Sequence, residues 1–386
     1  MAFRFEVLKT DPTGARLGRL ETPHGVFDTP AFLPIGTAGT VKGISQDQLE
    51  ALGAQIVLAN TYHLYLRPGH ERIRSLGGLH AFMSWPHPIL TDSGGYQVFS
   101  LAELRKVTDE GVTFRSHLDG TEHFFPPERA LEVELALGAD LIMVLDECIA
   151  LPAEEAATRA AARRTLEWAR RSREYFGAHG DPRRQMLFAI VQGGACAAIR
   201  RENAEELAAL DFPGYAIGGL AVGEAHETTC AMAEEVTKIL PGEKPRYLMG
   251  VGKAEDIADY VMRGVDFMDC VLPTRNARNG WLYTSHGRVV IRSARYAEDL
   301  RPPDGACQCP VCRRYTRAYL RHLFVCGEML GPILNSIHNV HFYLERMRGI
   351  RAAIAEGTLA VRAAQWRQQA GAEEQPADPR EEAEGA

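Results

Sequence analysis

The sequence lacks long apolar runs. No run approaches the roughly 20 apolar residues that a membrane-spanning helix needs. The first ten residues, MAFRFEVLKT, also lack the apolar stretch of a secretory signal. These two absences predict a soluble cytoplasmic protein with no membrane partner. The hydrophobic fraction of 46 % is ordinary for a globular protein, and 386 residues suffice for two average domains or one large α/β barrel.

An excess of positive charge is also lacking. The formal net charge is −7, which argues weakly against a nucleic-acid partner. Most of this charge lies between Ala372 and Ala386, which hold six acidic residues and one arginine. The rest of the chain is therefore nearly neutral and can still carry a local basic surface. The Glu-, Ala-, Pro- and Gly-rich composition predicts a disordered acidic tail over residues 371–386.

Short apolar runs alternate with helical patterns through the middle of the chain. The runs lie at 54–60, 88–95, 140–148, 186–194, 215–220, 246–252 and 265–271. Clear helical patterns lie at 158–176, 200–210, 228–240 and 254–263. Continuous apolar strands that alternate with helices indicate a parallel sheet. Seven units, with a further pair near the start, favour a closed (β/α)8 TIM barrel over an open doubly wound sheet, the alternative at this point.

Two predicted hairpins interrupt this alternation. Segments 112–118 and 121–125 flank Asp119-Gly120, a two-residue turn signal. Segments 281–285 and 288–293 flank His286-Gly287 in the same way. The pair Pro126-Pro127 then opens a helical pattern, because proline suits the first helical turn. We therefore predict an α/β barrel with inserted hairpins.

The apolar runs end in polar residues or glycines. These are Asn60, Asp92-Ser93, Asp146, Gln192-Gly193-Gly194, Gly218-Gly219, Gly250 and Asp269. A single such position is readily explained as a helix cap or loop residue. In a barrel, however, the whole set lies at the C-terminal mouth, where barrel enzymes place their sites. Three carboxylates there suit general acid/base work and a nucleophile, and the glycines let the backbone approach a flat ligand.

Three of the eight cysteines are crowded into the pattern C-x-C-x2-C at Cys307, Cys309 and Cys312. A structural zinc ion takes four ligands, so a fourth must come from elsewhere. The nearby histidines are His322, His338 and His341, and a predicted helix over 330–347 can project His338 onto the loop. Spacing alone does not decide between the last two. Four protein ligands leave no open position for water, so the expected zinc is structural.

Arginines follow this cysteine loop at helical spacing. They are Arg313 or Arg314, Arg317 and Arg321, followed by Arg346, Arg348 and Arg351. They form either a solvated helix surface or a surface that contacts phosphates. Separately, Arg275 and Arg278 lie just beyond Asp269, where they could hold a polynucleotide with one sugar facing that carboxylate.

At these motifs the sequence resembles the bacterial tRNA-guanine transglycosylases. The matching stretches are DSGGYQVFSL (92–101), DECIALP (146–152), VQGG (191–194), GGLAVGE (218–224), MGVG (249–252), MDCVLPTRNARNG (268–280) and CQCPVCRRYTRAYLRHLF (307–324). The resemblance extends from about residue 5 to 350. It implies a TIM barrel with a zinc-binding subdomain at about 295–350, and we predict one catalytic domain over residues 1–370.

The resemblance also implies a role for each matching position. Asp269 corresponds to the nucleophile, Asp92 to the general acid/base and Asp146 to the carboxylate that recognises the guanine edge. The implied base-pocket positions are Ser93, Gln192, Gly219 and Leu220, with Tyr96 and Met249 sandwiching the base. The implied contacts to the uridines flanking the target are Lys253, Arg275 and Arg278. The implied ligands of one structural Zn²⁺ are Cys307, Cys309, Cys312 and His338, which selects His338 over His341.

The expected reaction exchanges the wobble guanine of tRNAs with a G-U-N anticodon for 7-aminomethyl-7-deazaguanine. Cys148 and Val222 match the bacterial pocket, which accepts that small substituent rather than queuine. The family also implies a homodimer. Three other classes remain as alternatives: a sugar-processing hydrolase, a zinc-dependent hydrolase or deaminase, and a non-catalytic RNA-binding module.

Overall fold

The computed structural model describes residues 3–101 and 105–371. The strands are β1 Arg4–Thr10, β2 Arg16–Thr22, β3 Gly25–Thr29, β4 Ala31–Leu33, β5 Ile35–Gly36, β6 Val57–Ala59, β7 Ile89–Thr91, β8 Arg105–Val107, β9 Val112–Arg115, β10 Glu122–Phe125, β11 Leu141–Met143, β12 Met186–Val191, β13 Gly214–Ile217, β14 Arg246–Leu248, β15 Phe267–Asp269, β16 Trp281–Thr284 and β17 Gly287–Val290. The helices are α1 Gln46–Leu52, α2 Thr61–Leu66, α3 His70–Ser75, α4 Gly78–Met83, α5 Gly95–Leu101, α6 Pro127–Leu137, α7 Glu155–His179, α8 Ala197–Ala209, α9 His226–Thr237, α10 Ile257–Val261, α11 Leu272–Arg278, α12 Arg317–Val325, α13 Leu330–Glu356 and α14 Leu359–Gly371, with a 3₁₀ turn at Ala294–Tyr296.

The central sheet closes on itself. Its strand order is β4-β15-β14-β13-β12-β11-β7-β6-β5. Only Pro34 separates β4 from β5, so these two are halves of one strand. The first half pairs in parallel with β15 and the second half with β6. Counting the halves as one strand gives a closed parallel barrel of eight strands. The predicted (β/α)8 fold is confirmed, and the open doubly wound alternative is wrong.

The barrel strands are short, and every residue in them except Ile35 is buried. Each of the seven predicted apolar runs coincides with one strand, although β13 begins one residue before its run. Helices cover their outer sides, which explains why the runs do not alternate between apolar and polar residues. The predicted helices are also present. However, α10 is shorter than predicted because its flanking residues form turns.

A small antiparallel sheet precedes the barrel, and the sequence analysis missed it. Strands β1, β2 and β3 pair in that order. The connection between β2 and β3 carries His24, whose Nδ1 lies 2.8 Å from Oδ1 of Asp140. Nε2 of His80 lies 3.0 Å from the other oxygen of Asp140, and the two imidazole rings stack with centroids 3.5 Å apart. Asp140 directly precedes β11, so this cluster ties the small sheet to the N-terminal end of the barrel.

Both predicted hairpins are present, but their turns differ from the predictions. β9 and β10 pair antiparallel, and β8 joins them as a third strand. Their connection is longer than the two residues predicted at Asp119-Gly120, since it is closed by a 2.8 Å bond from Ser116 N to Thr121 O. In the second hairpin Gly287 pairs with Thr284, so the turn residues are Ser285 and His286 rather than His286-Gly287.

The C-terminal helices pack back onto the barrel. Helix α13 begins where it was predicted to begin but extends beyond residue 347, and it contacts α11, β16, α1 and β4. Helix α14 packs against α13 and α10. Apart from Gly371, the predicted acidic tail lies outside the described residues. None of the helices in the described ranges combines the length and apolar character needed to cross a membrane.

Candidate functional site

A cavity of about 360 Å³ lies at the C-terminal mouth of the barrel. Asp92, Asp146 and Asp269 all line it. These carboxylates follow or end three separate strands, β7, β11 and β15, so closure of the barrel brings them together. Each side chain is more than nine-tenths buried. The strand ends therefore bring three carboxylates to one cavity, at the mouth where the sequence predicted a site.

Asp92 is held by three hydrogen-bond donors. Thr61 N donates to its Oδ1 over 2.9 Å, and the side-chain amides of Asn60 and Gln97 donate to its Oδ2. Burial nevertheless raises the pKa of Asp92 to about 6, and the negative charge of Asp269 adds to this rise. Asp92 can therefore carry or release a proton near neutral pH, which is the property required of a general acid/base.

Asp269 is held through only one of its oxygens. The hydroxyl of Tyr247 and the N–H of Gly250 both donate to Oδ1, the latter over 2.9 Å. No other residue in the described part of the chain donates a hydrogen bond to this carboxylate. Burial raises the pKa of Asp269, and these two hydrogen bonds, with one from its own backbone N–H, oppose that rise. The second oxygen is thus left for a ligand in the cavity, as a nucleophilic carboxylate requires.

Asp146 has a different environment from the other two carboxylates. Ser93 Oγ donates to its Oδ1 and Gln192 Nε2 donates to its Oδ2, each over 2.6 Å. Burial raises the pKa of Asp146, while these two hydrogen bonds oppose the rise. Both oxygens are therefore fixed in the cavity wall. A carboxylate oriented in this way is suited to accept two parallel N–H donors from a flat heterocycle.

The glycine pair after β13 allows the backbone to approach this carboxylate closely. Gly219 has φ of +62°, a left-handed conformation that favours glycine. A Cβ at this position would lie 2.1 Å from Oε1 of Gln192. A Cβ at Gly218 would lie 2.8 Å from Nε2 of the same side chain. A side chain at either position would therefore press on the Gln192 amide that donates to Asp146.

The remaining predicted base-pocket residues lie either on the surface of the cavity or directly behind it. Ser93, Tyr96, Leu220 and Met249 line the cavity. Tyr96 is half exposed, whereas Leu220 is buried. Gln192 does not line the cavity but lies behind Asp146, where its backbone N–H is bound by Asn203 Oδ1 at 2.9 Å. Cys148 and Val222 also line the cavity.

The predicted cationic positions lie outside the cavity. Lys253, Arg275 and Arg278 are exposed, and the two arginines belong to α11, which directly follows Asp269 and the strand that it ends. Arg278 Nη1 donates to Thr274 O over 3.0 Å, one turn earlier in its own helix. Burial, followed by the neighbouring charge of Arg275, lowers the pKa of Arg278. These side chains form a cationic rim beside the mouth.

Five of the arginines considered for a basic surface are used inside the fold, whereas Arg313 and Arg314 are exposed. Arg317 is largely buried, with Nε and Nη2 donating to the backbone of Pro302 and Pro303. Arg321 donates to Ser293 O over 2.9 Å. Arg346, Arg348 and Arg351 pack α13 against Trp366, Leu52 O and Pro30 O, respectively. These arginines stabilise the fold because their guanidinium groups are occupied by internal carbonyls and rings. The helical spacing alone could not reveal this.

The three cysteines converge on His338. Its Nδ1 lies 3.9, 3.5 and 3.2 Å from the Sγ atoms of Cys307, Cys309 and Cys312. In tetrahedral zinc coordination a sulfur and a nitrogen ligand are about 3.5 Å apart, so the set fits that ion. The Nε2 of His338 donates to Tyr283 O over 2.7 Å, which leaves Nδ1 free to bind a metal. These four residues could therefore hold a metal ion. His341 is not part of the cluster.

Several residues that shape the site carry no signal in the sequence. Tyr247 precedes the end of β14 and was part of an apolar run, so nothing marked its hydroxyl as a partner of Asp269. Gln97 lies within a recognised motif, but only the fold places it beside Asp92. Asn60 was noted as a strand-end residue, and the structure adds its bond to Asp92. Such partners depend on neighbouring strands and cannot be read from local spacing.

Comparison with known proteins is consistent with this geometry. Residues 11–372 match the family model described as Queuine tRNA-ribosyltransferase. A Queuine tRNA-ribosyltransferase of Koribacter versatilis is 54 % identical over 370 residues, covering 94 % of this chain and 96 % of that protein. Proteins with the same name from Moorella thermoacetica and Ruminiclostridium cellulolyticum are 55 % and 52 % identical, over 93 % of this chain and 95 % and 96 % of their own lengths.

Proposed function

Because the chain belongs to the queuine tRNA-ribosyltransferase family, we propose that it is a tRNA-guanine transglycosylase that works through a covalent aspartyl-ribose intermediate. It exchanges the wobble guanine of tRNAs with a G-U-N anticodon for 7-aminomethyl-7-deazaguanine. One observation carries the proposal. Three buried carboxylates share one cavity, yet each has a different set of hydrogen-bond partners and so a different chemical capacity.

In the first displacement, Asp269 attacks C1′ of the wobble guanosine. Its unbonded oxygen forms an ester with C1′ while the bond from C1′ to N9 breaks and its electron pair passes to the base. Asp92, protonated because burial raises its pKa to about 6, donates a proton to the departing guanine. The tRNA is then covalently attached to the enzyme.

In the second displacement, the incoming 7-deazaguanine takes the place of guanine. It loses its N9 proton to the ionised Asp92, and N9 attacks C1′ from the face opposite the ester. The carboxylate of Asp269 leaves with the bonding electrons. Two inversions retain the configuration at C1′ and return both aspartates to their starting protonation states.

Base recognition belongs to Asp146. Its two oxygens, fixed by Ser93 and Gln192, accept hydrogen bonds from the ring N–H and the amino group of guanine. Adenine offers no such pair of donors at that edge, so a buried carboxylate would remain unpaired and adenine would bind poorly. Tyr96 and Met249 sandwich the base, and the volume beside Cys148 and Val222 suits the small aminomethyl group rather than queuine.

The tRNA is held by the cationic rim. Lys253, Arg275 and Arg278 contact the anticodon uridines that flank the target nucleotide. The base must leave its stack to enter the cavity, which costs less in an anticodon loop than in a duplex. Residues 1–370 then act as one catalytic domain, whose zinc-binding part at about 295–350 packs against the barrel.

The metal cluster has a structural role in this proposal. Cys307, Cys309, Cys312 and His338 would hold one Zn²⁺, which would tie the loop before α12 to α13. Four protein ligands leave no open position, so the chemistry stays with the aspartates. A homodimer is also proposed, because Tyr319, Val325, Met329 and Leu330 are exposed together near the junction of these helices.

The proposal is tested by incorporation of radiolabelled guanine into unmodified tRNA. Wild type should incorporate the label and form an enzyme–RNA adduct that survives a denaturing gel, whereas Asp269→Asn should do neither. Release of free guanine without incorporation would instead indicate a sugar-processing hydrolase. RNA binding without exchange would indicate a non-catalytic RNA-binding protein. Loss of exchange on mild zinc removal, with folding intact, would favour a zinc-dependent enzyme.

A further inference from the structure

The base site has a buried cation beneath it that the proposed reaction does not use. Arg200 lies in the first turn of α8 and is completely buried. Its Nε donates to Gly194 O over 2.6 Å, and its Nη2 donates to Gly218 O at 2.9 Å and Gly219 O at 3.1 Å. Burial lowers its pKa to about 10, so the guanidinium stays positively charged at neutral pH. One side chain thus joins the loops after β12 and β13.

These bonds orient the peptide groups of the second loop. In a trans peptide the C=O of one residue and the N–H of the next point in opposite directions. Because Arg200 binds the carbonyls of Gly218 and Gly219, the N–H groups of Gly219 and Leu220 point away from it. Both residues line the cavity, and within the described ranges neither N–H has an acceptor.

A second side chain fixes the far end of the same loop. Glu224 accepts hydrogen bonds from the N–H groups of Ala221 and Val222, the latter over 3.1 Å. It also accepts a 2.6 Å bond from Thr229 Oγ1. Four successive amides are therefore divided into two pairs. Glu224 holds one pair, and the pair at residues 219 and 220 has no acceptor within the described ranges and is left for a molecule in the cavity.

We propose that Arg200 is a positioning residue for base recognition, which holds the loop so that the N–H groups of Gly219 and Leu220 face the 6-oxo oxygen of the bound base. This inference rests on the proposed function. A base whose ring N–H and amino group meet Asp146 presents its 6-oxo oxygen on the adjoining edge. The two amides then supply donors there, and Arg200, which never touches the base, fixes their direction.

The inference is tested with two bases that differ only in that acceptor. 6-Thioguanine keeps the ring N–H and amino group of guanine but replaces the oxygen with sulfur, a weaker hydrogen-bond acceptor. Dissociation constants for both bases are measured by calorimetry on wild type, Arg200→Met and Arg200→Lys, together with KM for guanine and for tRNA. Arg201→Met is the matched control, since Arg201 is the next residue of the same helix, with an exposed side chain paired to Glu235.

In Arg200→Met, guanine binding should weaken about tenfold more than 6-thioguanine binding, as expected when hydrogen bonds to one acceptor are lost. The KM for tRNA should stay unchanged, and Arg201→Met should behave as wild type. Arg200→Lys keeps the charge and should lie between the two, and it provides the test if Arg200→Met does not fold. Equal weakening of both bases, or no weakening, would overturn the inference. Wild type that binds guanine normally but exchanges none would refute only the proposed reaction.

Discussion

The hydroxyl of Tyr247 donates a hydrogen bond to Oδ1 of Asp269, the same oxygen that accepts the N–H of Gly250. Both donors stand on or just beyond β14, the strand beside β15. They hold one oxygen of the carboxylate and leave the other to the cavity. The orientation of the proposed nucleophile is thus set by a neighbouring strand rather than by its own.

Tyr247→Phe should lower the rate of guanine exchange. It removes a hydrogen bond that stabilises the ionised carboxylate, so the pKa of Asp269 rises and its orientation loosens. A hydrogen bond to a charged group corresponds to a loss in kcat of about ten- to a hundredfold. Tyr215→Phe is the control, because Tyr215 is also buried, on adjacent β13, but its hydroxyl binds Phe212 N instead. Similar rates in the two variants would contradict the assigned role of Tyr247.

The pH dependence of exchange should report the protonation of Asp92. We expect an inflection in kcat/KM near pH 6, the pKa of this buried carboxyl. Asn60→Ala should move that inflection to higher pH, because the lost amide donor stabilises the ionised form. The residual activity of Asp92→Asn should show no inflection there. A downward shift in Asn60→Ala would show that another group controls the profile.

Cys309→Ser should reduce stability, and RNA binding should fall with the folded fraction. It removes one of four converging metal ligands, and structural zinc contributes directly to folding free energy. Zinc content is measured by a colorimetric chelator, stability by thermal unfolding and tRNA affinity by filter binding. Cys326→Ser is the control, since Cys326 is exposed and outside the cluster. A variant that folds and binds tRNA normally while losing only catalysis would contradict a structural role.

Asp140→Asn should destabilise the N-terminal end of the barrel. Burial raises the pKa of Asp140, but the hydrogen bonds from His24 and His80 outweigh it and set the pKa at about 2, below the ordinary value of 3.8. This stabilisation is therefore complete above about pH 4 and is lost as the pH falls toward 2. The free energy of unfolding should drop by about 2 kcal/mol at pH 7, and the difference from wild type should shrink to about half that by pH 3.

Asp181→Asn provides the contrast for that experiment. The Arg183 side chain holds the pKa of Asp181 at about 2 as well, but that pair is on the surface. Exposed ion pairs contribute little to stability because water and salt screen them. Urea unfolding of both variants at pH 7 separates the two cases. Equal destabilisation would show that the pKa alone, and not the buried cluster, determines the effect.

The arginines should divide into two groups when each is replaced by alanine. Arg275→Ala removes an exposed charge at the cationic rim, so tRNA affinity should fall and the slope of log K against log salt should decrease by about one. Arg317→Ala removes bonds to Pro302 O and Pro303 O, so thermal stability should fall instead. Affinities at several salt concentrations and melting temperatures provide the measurements. Loss of tRNA affinity in a fully stable Arg317→Ala variant would instead show that Arg317 belongs to a tRNA-binding surface.

The barrel could be predicted from the sequence because its strands are buried on both sides. Such strands are apolar at nearly every position, as in residues 186–191, and each apolar run ends in a polar residue or glycine at the mouth of the barrel. The small sheet of β1 to β3 was missed because β1 has no buried residue and the buried positions of β2 include Arg16, Gly18 and Thr22, so the apolar alternation is weak. The turn at Ser116–Thr121 was wrongly predicted because a two-residue signal does not reveal a longer connection around it.

The candidate site was only partly predictable, for a related reason. Aspartates at strand ends are visible in the sequence, and barrel topology alone brings Asp92, Asp146 and Asp269 together. Their hydrogen-bond partners are not visible in the sequence. Tyr247 and Gln97 reach the carboxylates only through the folded arrangement of strands and helices. For the arginines, the sequence pattern instead suggested a function that the structure does not support. Arg317 and Arg321 have the spacing of a binding surface, yet each guanidinium is used by a backbone carbonyl inside the fold.

The split strand formed by β4 and β5 has a consequence for the order in which the molecule is assembled. It is among the first barrel elements to be synthesised, but one half pairs with β15, which carries Asp269 and lies more than two hundred residues later. Contacts between such distant segments form late, because a long loop must close first. A nascent chain can therefore contain Asp92 and Asp146 while Asp269 is still missing. Only the finished barrel presents all three carboxylates to one cavity.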